Sequence, residues 1–286
     1  MGTTYRLHPL FIMVMMVSVA TGFFSELMTL FGIVVIHEIG HVAAAKSFGW
    51  RVKEVQLLPF GGVVVVDDQG SVNAWQEMVV ALAGPLQNAL MVGLAYLLVW
   101  CGIWEQDWAV YFIKANLIIG LFNLFPLLPL DGGKIMQSLL SLLLSYHRTI
   151  VCCTVISLLL SFVMVMVSVY PGGQGIQLNL LLIGLFLFYS NWHDYKNLPY
   201  HFLRFLINRG EKVSLMMERG VLAQPIIVDH HITISQILRL FMREQYHLIY
   251  IVNQGGHIQA VLPEQKVLNY YFIDNKPSRA ISEILM

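Results

Sequence analysis

Six apolar runs of near membrane-spanning length punctuate the chain, at roughly 9–25, 27–48, 77–101, 109–130, 149–170 and 176–193. A helix that crosses the hydrocarbon core of a bilayer needs about 20 mostly apolar residues. The first run also has the shape of a signal peptide, with Arg6 ahead of it and Ser18-Val19-Ala20 as a small-residue cleavage site. The next run follows almost at once, which favours a retained span. Between the second and third runs, Val55–Asp68 is β-branched around Gly61-Gly62 and predicts a β-hairpin turning at those glycines. A plain surface hairpin accounts for it; its apolar character also fits a hairpin dipping into the bilayer against protein.

Beyond Trp192-His193 the pattern changes. Residues 194–214 carry Asp194, Lys196, Arg204, Arg209 and Lys212 and predict a charged linker, partly helical. Then come a strand (Pro225–Val228), a helix (Ile234–Glu244), a strand (His247–Val252), an Asn-Gln-Gly-Gly turn, a strand (His257–Leu262) and a helix (Gln265–Phe272). A module of that size lies near the lower limit for an independent core, about 55–65 residues. The expected fold is a polytopic α-helical membrane protein with a short membrane-associated β-hairpin and a small C-terminal α/β domain. Its expected limits are 1–193 for the transmembrane domain (core about 27–133), 194–214 for the linker and 215–286 for the C-terminal domain.

Composition agrees. Of the 286 residues 57% are hydrophobic and 12% charged, and the mean hydropathy is +0.67. Soluble domains carry about 25% charged residues. A disordered chain, a nucleic-acid binder with a basic face and an ordinary soluble enzyme are thereby excluded. Lys+Arg and Asp+Glu both number 17, so net charge identifies no partner. Placement is informative, because short cytoplasmic loops are enriched in Lys and Arg. With the N-terminus inside, the inner segments hold Arg6, Lys46, Arg51, Lys53, Lys134, Arg148 and Lys196. The outer turns hold Glu26, Glu105 and Asp107, and Lys114 can snorkel outward. Both termini are then cytoplasmic. Cys101, Cys152 and Cys153 form no C-x-x-C pair, so thiolates are not expected to hold a metal.

The decisive motif is His37-Glu38-Ile39-Gly40-His41, inside the second apolar run. Histidines at i and i+4 share a helix face about 6 Å apart, so both imidazoles reach one cation. A glutamate beside the first is placed to take a proton from an attacking water, the arrangement of zinc-dependent proteases. Three ionisable groups within one turn at membrane depth are costly and point to function rather than to a satisfied structural pair. Zinc in a catalytic site takes a third protein ligand. The candidate is Asp131, in Asn123-Leu-Phe-Pro-Leu-Leu-Pro-Leu-Asp131-Gly-Gly133; a plain helix-ending turn is the other reading. Asn123, two helical turns earlier, is placed to hydrogen-bond substrate or water. Gly84-Pro85 reads as a helix kink or as shaping of a water-filled site.

With Ala83-Gly84-Pro85-Leu86-Gln87-Asn88 between these two motifs, the chain resembles the site-2 protease family of intramembrane zinc metalloproteases. The whole pattern, with Leu57-Leu-Pro-Phe-Gly-Gly62, resembles the branch that works in sporulation. The resemblance implies zinc on His37, His41 and Asp131, and catalytic roles for Glu38 and Asn123. It implies substrate contacts from Phe60, Gly61, Gly62 and Pro129. It also implies a membrane-associated precursor substrate of the pro-sigma-factor type, inhibitory membrane proteins, and a place in the membrane around the forespore. No nucleic-acid partner is expected.

Residues 215–286 resemble a cystathionine-β-synthase (CBS) domain. That resemblance implies ATP as a regulator, and a single copy implies pairing between subunits in a homo-oligomer. A packing and substrate-docking domain is the alternative. His230-His231 would alternate faces in a strand and are expected to be solvated turn residues. The competing functions are a metal-ion transporter or channel with a regulatory CBS domain, since membrane histidines and carboxylates also mark ion pathways, and a non-catalytic scaffold. Glu38, unneeded as a ligand, argues against the first, and the metal-ligand set argues against the second.

Overall fold

A computed structural model describes residues 4–7, 24–50, 52–58, 61–66, 72–170, 177–253, 255–274 and 280–281. The chain divides into two compact units, Met1–Asp68 with Trp75–Met136, and Gln69–Ala74 with Gln137–Met286.

The first unit contains a sheet in the order β1 (Thr4–Leu7), β2 (Val52–Leu58), β3 (Gly61–Val66). β1 runs parallel to β2, and β2 is antiparallel to β3 with Leu57 opposite Gly62 and Leu58 opposite Gly61. Gly61 and Gly62 therefore open β3 rather than form the turn; the connection at 59–60 lies outside the described residues. β1 was not expected, because its four residues are too short to carry a strand pattern of their own. Its partner supplies the register.

Four helices follow: α1 (Phe24–Ser47), α2 (Ala74–Trp100), α3 (Gln106–Asn123) and α4 (Asp131–Leu143). α1 buries Ile33, His37, Glu38, Gly40, His41 and Ala45 along one stripe while Ile36 and Ile39 stay exposed. On α2 the exposed side chains include Leu86, Leu90, Leu94 and Leu97, and Asn88 is buried. Polar groups inside and leucine outside invert the soluble pattern and match a protein solvated by lipid. A Cβ on Gly40 would lie 2.7 Å from the Ala83 oxygen, so α1 and α2 pack backbone to backbone there, as small residues allow in membrane helix pairs.

Among the described residues three helices are long and apolar enough to cross a membrane: Phe24–Ser47, Ala74–Trp100 and Tyr146–Val169. Of the other three expected spans, 9–25 lies almost wholly outside the described residues. The 109–130 run is an 18-residue helix that stops at Asn123, and 176–193 is the start of a longer helix. Pro126 and Pro129 lie in the interval 124–130, where neither can donate a helical hydrogen bond.

In the second unit α5 (Tyr146–Val169) packs along α6 (Leu178–Arg219). Residues 194–214, expected as a linker only partly helical, are the uninterrupted continuation of α6. The cause is an amphipathic stripe: Leu206 lies in the C-terminal core with Phe202 and Phe205 packed against it, Arg209 bonds Glu264, and Val213 is buried on the same helix. That core lies between α6 and a mixed sheet of β4 (Ala223–Asp229), β5 (Tyr246–Val252) and β6 (Ile258–Pro263), with α7 (Ile234–Leu238) and α8 (Glu264–Asp274). β4 pairs parallel to β5, and β5 antiparallel to β6.

The helix expected to reach Glu244 ends at Leu238, because the backbone beyond it finds other partners. Arg209 donates to the carbonyls of Met242 (2.7 Å) and Gln245, and the Met242 N–H donates to His247 Nε2. Arg209 also makes a two-point pair with Glu264 (3.0 and 2.9 Å), to which His247 Nδ1 adds a bond of 2.9 Å. Arg209, Glu264 and His247 are almost wholly buried. Burial alone would raise the Glu264 carboxyl, but the His247 hydrogen bond and the Arg209 guanidinium outweigh it and hold it below the usual range.

Removing one member of a buried ion pair strands the other without compensation. Arg209→Met should therefore cost about 3–5 kcal/mol, read as a lower thermal midpoint for the C-terminal unit in detergent. An unchanged midpoint would contradict the assignment. Because the folded carboxyl is depressed, its contribution is complete above the ordinary glutamate value of about 4.3 and declines as pH falls below it. Glu264→Gln should flatten that acid limb.

Candidate active site

His37 and His41 lie one turn apart on α1, with rings 4.8 Å apart and edge to face. Each is turned by α2. His37 Nδ1 lies 2.5 Å from Asn88 Oδ1, and His41 Nδ1 lies 2.7 Å from the Val80 carbonyl. Both partners are acceptors, so both Nδ1 atoms carry the proton and both Nε2 atoms present a lone pair. The Asn88 amide is oriented in turn: its Nδ2 donates to Asn116 Oδ1 (3.2 Å), whose own Nδ2 donates to the Phe112 carbonyl (2.9 Å). This outer partner Asn116 escaped the sequence reading. Its signal in the sequence was an amide inside an apolar run, a cost at membrane depth that calls for a reason.

Asp131 closes the site. Its Oδ2 lies 3.1 Å from His37 Nε2 and 3.1 Å from His41 Nε2, and the two nitrogens are 3.2 Å apart. Asp131 begins a helix rather than ending one, so its carboxylate sits at the positive end of α4. The two glycines after it are steric requirements: a Cβ on Gly132 would strike the Leu124 and Phe125 carbonyls, and one on Gly133 the backbone of Leu127 and Leu128. Gly84 is a third. A Cβ there would lie 2.6 Å from His37 Nε2 and strike the His41 ring.

Three ligand atoms therefore converge, and with each ring proton on Nδ1 their lone pairs face a common point. Such a set is satisfied by a cation, and two imidazoles with one carboxylate suit zinc. The edges of 3.1–3.2 Å are close to the roughly 3.3 Å between ligand atoms in a tetrahedron with bonds of about 2.0–2.1 Å. Glu38 is buried, and its carboxylate oxygen lies within 4.8 Å of the histidine ligand atoms.

The remaining predicted positions are less concentrated. Asn123 is the last residue of α3, half-buried, and its Nδ2 donates to the Ile119 carbonyl at 3.0 Å. Asn123 and Asp131 do not share a helix, so the two-turn spacing that linked them has no structural basis. Pro129 is exposed and follows a cis Leu128–Pro129 peptide. Gly61 and Gly62 are in β3, and Phe60 lies outside the described residues.

Buried side chains able to hold a metal ion, on helices long enough to cross a membrane, fit the class of membrane-embedded metalloproteins. Residues 25–106 match the model of peptidase family M50. The chain is 31% identical to stage IV sporulation protein FB of Bacillus subtilis, over 98% of this chain and 96% of that one. It is 25% identical to a zinc metalloprotease of Methanocaldococcus jannaschii, over 89% of this chain and 74% of that one. The solved site-2 protease from Methanocaldococcus jannaschii superposes with a TM-score of 0.55 at 26% identity, covering 68% of this chain and 92% of that one. The chain belongs to peptidase family M50, the site-2 proteases, and is a membrane zinc metalloprotease. Nothing in these similarities supports the transporter or channel alternative.

The α2 anchors make a checkable demand. Asn88→Ala leaves all three donors in place but frees the His37 ring, and outer partners of this kind are worth about 10–100-fold in metal affinity or activity. A chelator competition on the purified protein should show that loss. Wild-type affinity in Asn88→Ala would contradict it.

Proposed function

We propose that the chain is an intramembrane zinc endopeptidase in which His37, His41 and Asp131 hold one zinc ion and Glu38 is the general base. The observation that carries this reading is the triangle of two Nε2 atoms and one carboxylate oxygen, closed to 3.1–3.2 Å with the imidazole protons committed to α2. When bound, zinc polarises a carbonyl and makes water acidic near neutral pH. Glu38 takes the proton of the attacking water and delivers it to the leaving amine. Asp131 and the two imidazoles remain ligands throughout, so Glu38 alone moves the proton.

Substrate presentation falls to Asn123, Pro129 and the hairpin with Phe60, Gly61 and Gly62. An extended substrate adding to a sheet edge exposes a peptide bond that a helix would bury. In the order β1-β2-β3 the edge strands are β1 and β3, and β3, which carries Gly61 and Gly62, is the strand that would receive it. The substrate class is a membrane-associated precursor of the pro-sigma-factor type, acting in sporulation. The full-length likeness to a stage IV sporulation protein supports it. The same reading takes the chain as six spans with both termini cytoplasmic, in the membrane around the forespore, under the control of inhibitory membrane proteins. The C-terminal domain is read as CBS-like, ATP-responsive and paired in a homo-oligomer, with domain limits 1–193, 194–214 and 215–286, the middle stretch being the helical continuation of α6 that packs on it.

Co-expression with a candidate precursor tests the chemistry. Glu38→Gln should abolish cleavage while retaining zinc, because the amide cannot accept the proton and the side chain is no ligand. Asp131→Ala should lose zinc as well. Undiminished processing by Glu38→Gln sinks the mechanism, and full zinc loading of Asp131→Ala removes it as a ligand. Topology is checked by cysteines introduced near 105 or 173, which should label with an impermeant reagent applied from outside, whereas one near 70 should not. The reverse pattern overturns the orientation.

A further inference from the structure

We propose that Asp229, His230 and His231, in the C-terminal unit, form a second transition-metal site. It shares no residue with the membrane site and does not depend on the reading given above. The starting observation is the shape of the turn that follows β4, where His230 and His231 were expected to be solvated turn residues. β4 ends at Asp229, the Ile232 N–H donates to the Asp229 carbonyl (3.1 Å), and the His231 N–H donates to Asp229 Oδ1 (3.0 Å). Adjacent side chains on a strand point to opposite faces; this turn instead brings the two imidazoles together, with centroids 3.8 Å apart and planes 41° apart.

The donor atoms converge. One ligand atom from each of the three residues lies within 4.8 Å of the other two. His230 Nδ1 is 3.1 Å from Asp229 Oδ1, yet that nitrogen is buried and makes no hydrogen bond. A ring nitrogen and a carboxylate oxygen this close need one positive charge between them, which a proton or a metal ion supplies. His231 is exposed, so the remaining coordination positions open to water. Two imidazoles and one carboxylate select zinc, copper(II) or nickel(II) over magnesium and calcium.

The turn is also held in shape from both sides. Thr233 and Gln236 form a reciprocal cap on α7 directly after it. The Ile281 N–H donates to the Ile232 carbonyl at 3.0 Å, and Thr233 bridges Ala280. A metal here would join the end of β4 to the segment that fastens residues 280–281.

The test is a zinc count on the full chain, purified in detergent with an affinity tag free of histidine and dialysed against dilute zinc. The wild type should bind about two ions per chain, and His230→Gln with His231→Gln about one. His37→Ala with His41→Ala should also bind about one, that of the turn. A wild-type count that His230→Gln with His231→Gln leaves unchanged overturns the proposal while the membrane site stands. A count unchanged by His37→Ala with His41→Ala but lowered by the turn variant fails the membrane assignment and supports this one. The exposed His231→Asn alone, which leaves the turn's backbone bonds in place, should weaken zinc binding at the turn at least tenfold. Wild-type affinity in that variant likewise overturns the proposal.

Discussion

The site depends on one contact above the others: the close approach of α1 and α2 at Gly40 and Gly84. That approach lets Asn88 and Val80 reach the Nδ1 atoms of His37 and His41 and turns both Nε2 lone pairs toward Asp131. Histidine spacing alone puts two rings on one face of a helix. It does not choose their tautomers or aim them. A side chain at Gly84 would occupy the space in front of the nitrogens, so the glycine shapes the site although it offers no donor atom. Bulk at that position would part the helices, loosen both anchors together and open the triangle.

A second constraint follows from the solvent. In a hydrocarbon layer a buried polar group has no water to fall back on, and the chain assembles polar groups into a connected series from Phe112 through Asn116, Asn88 and His37 to Asp131. Each member is satisfied by the next, and the series ends in three donors that together want a cation. The C-terminal unit meets a similar problem with protein charges alone. Arg209, Glu264 and His247 are buried and mutually bonded, so they close on themselves and leave no open lone pairs for a metal. The contrast between these two buried clusters separates a site built for a ligand from one built for fastening.

Much of this was legible in the sequence, for reasons that can be traced to particular residues. The i, i+4 histidines with Glu38 between them need only a helix to become a site, and an apolar run provides one. Asp131 was legible as a donor because a carboxylate after such a run needs a partner. Its place at the start of α4 was not, because the apolar run from 109 to 130 hides the break that Pro126 and Pro129 accompany. Glycines attract turn assignments, yet Gly61 and Gly62 pair with Leu58 and Leu57 inside the sheet. Arg209 misled most. A cationic side chain reads as solvent-exposed, and only the tertiary structure supplies the buried Glu264 that inverts its meaning. Asn88 stood within a motif, whereas its partner Asn116 stood alone in an apolar stretch.

The most direct measurement is anomalous diffraction at the zinc absorption edge from crystals of the full chain. The account predicts a peak bonded to Nε2 of His37, Nε2 of His41 and Oδ2 of Asp131, with Glu38 beside it but outside bonding distance. A peak bonded to Glu38 in place of Asp131, or no peak at the two histidines, would contradict it.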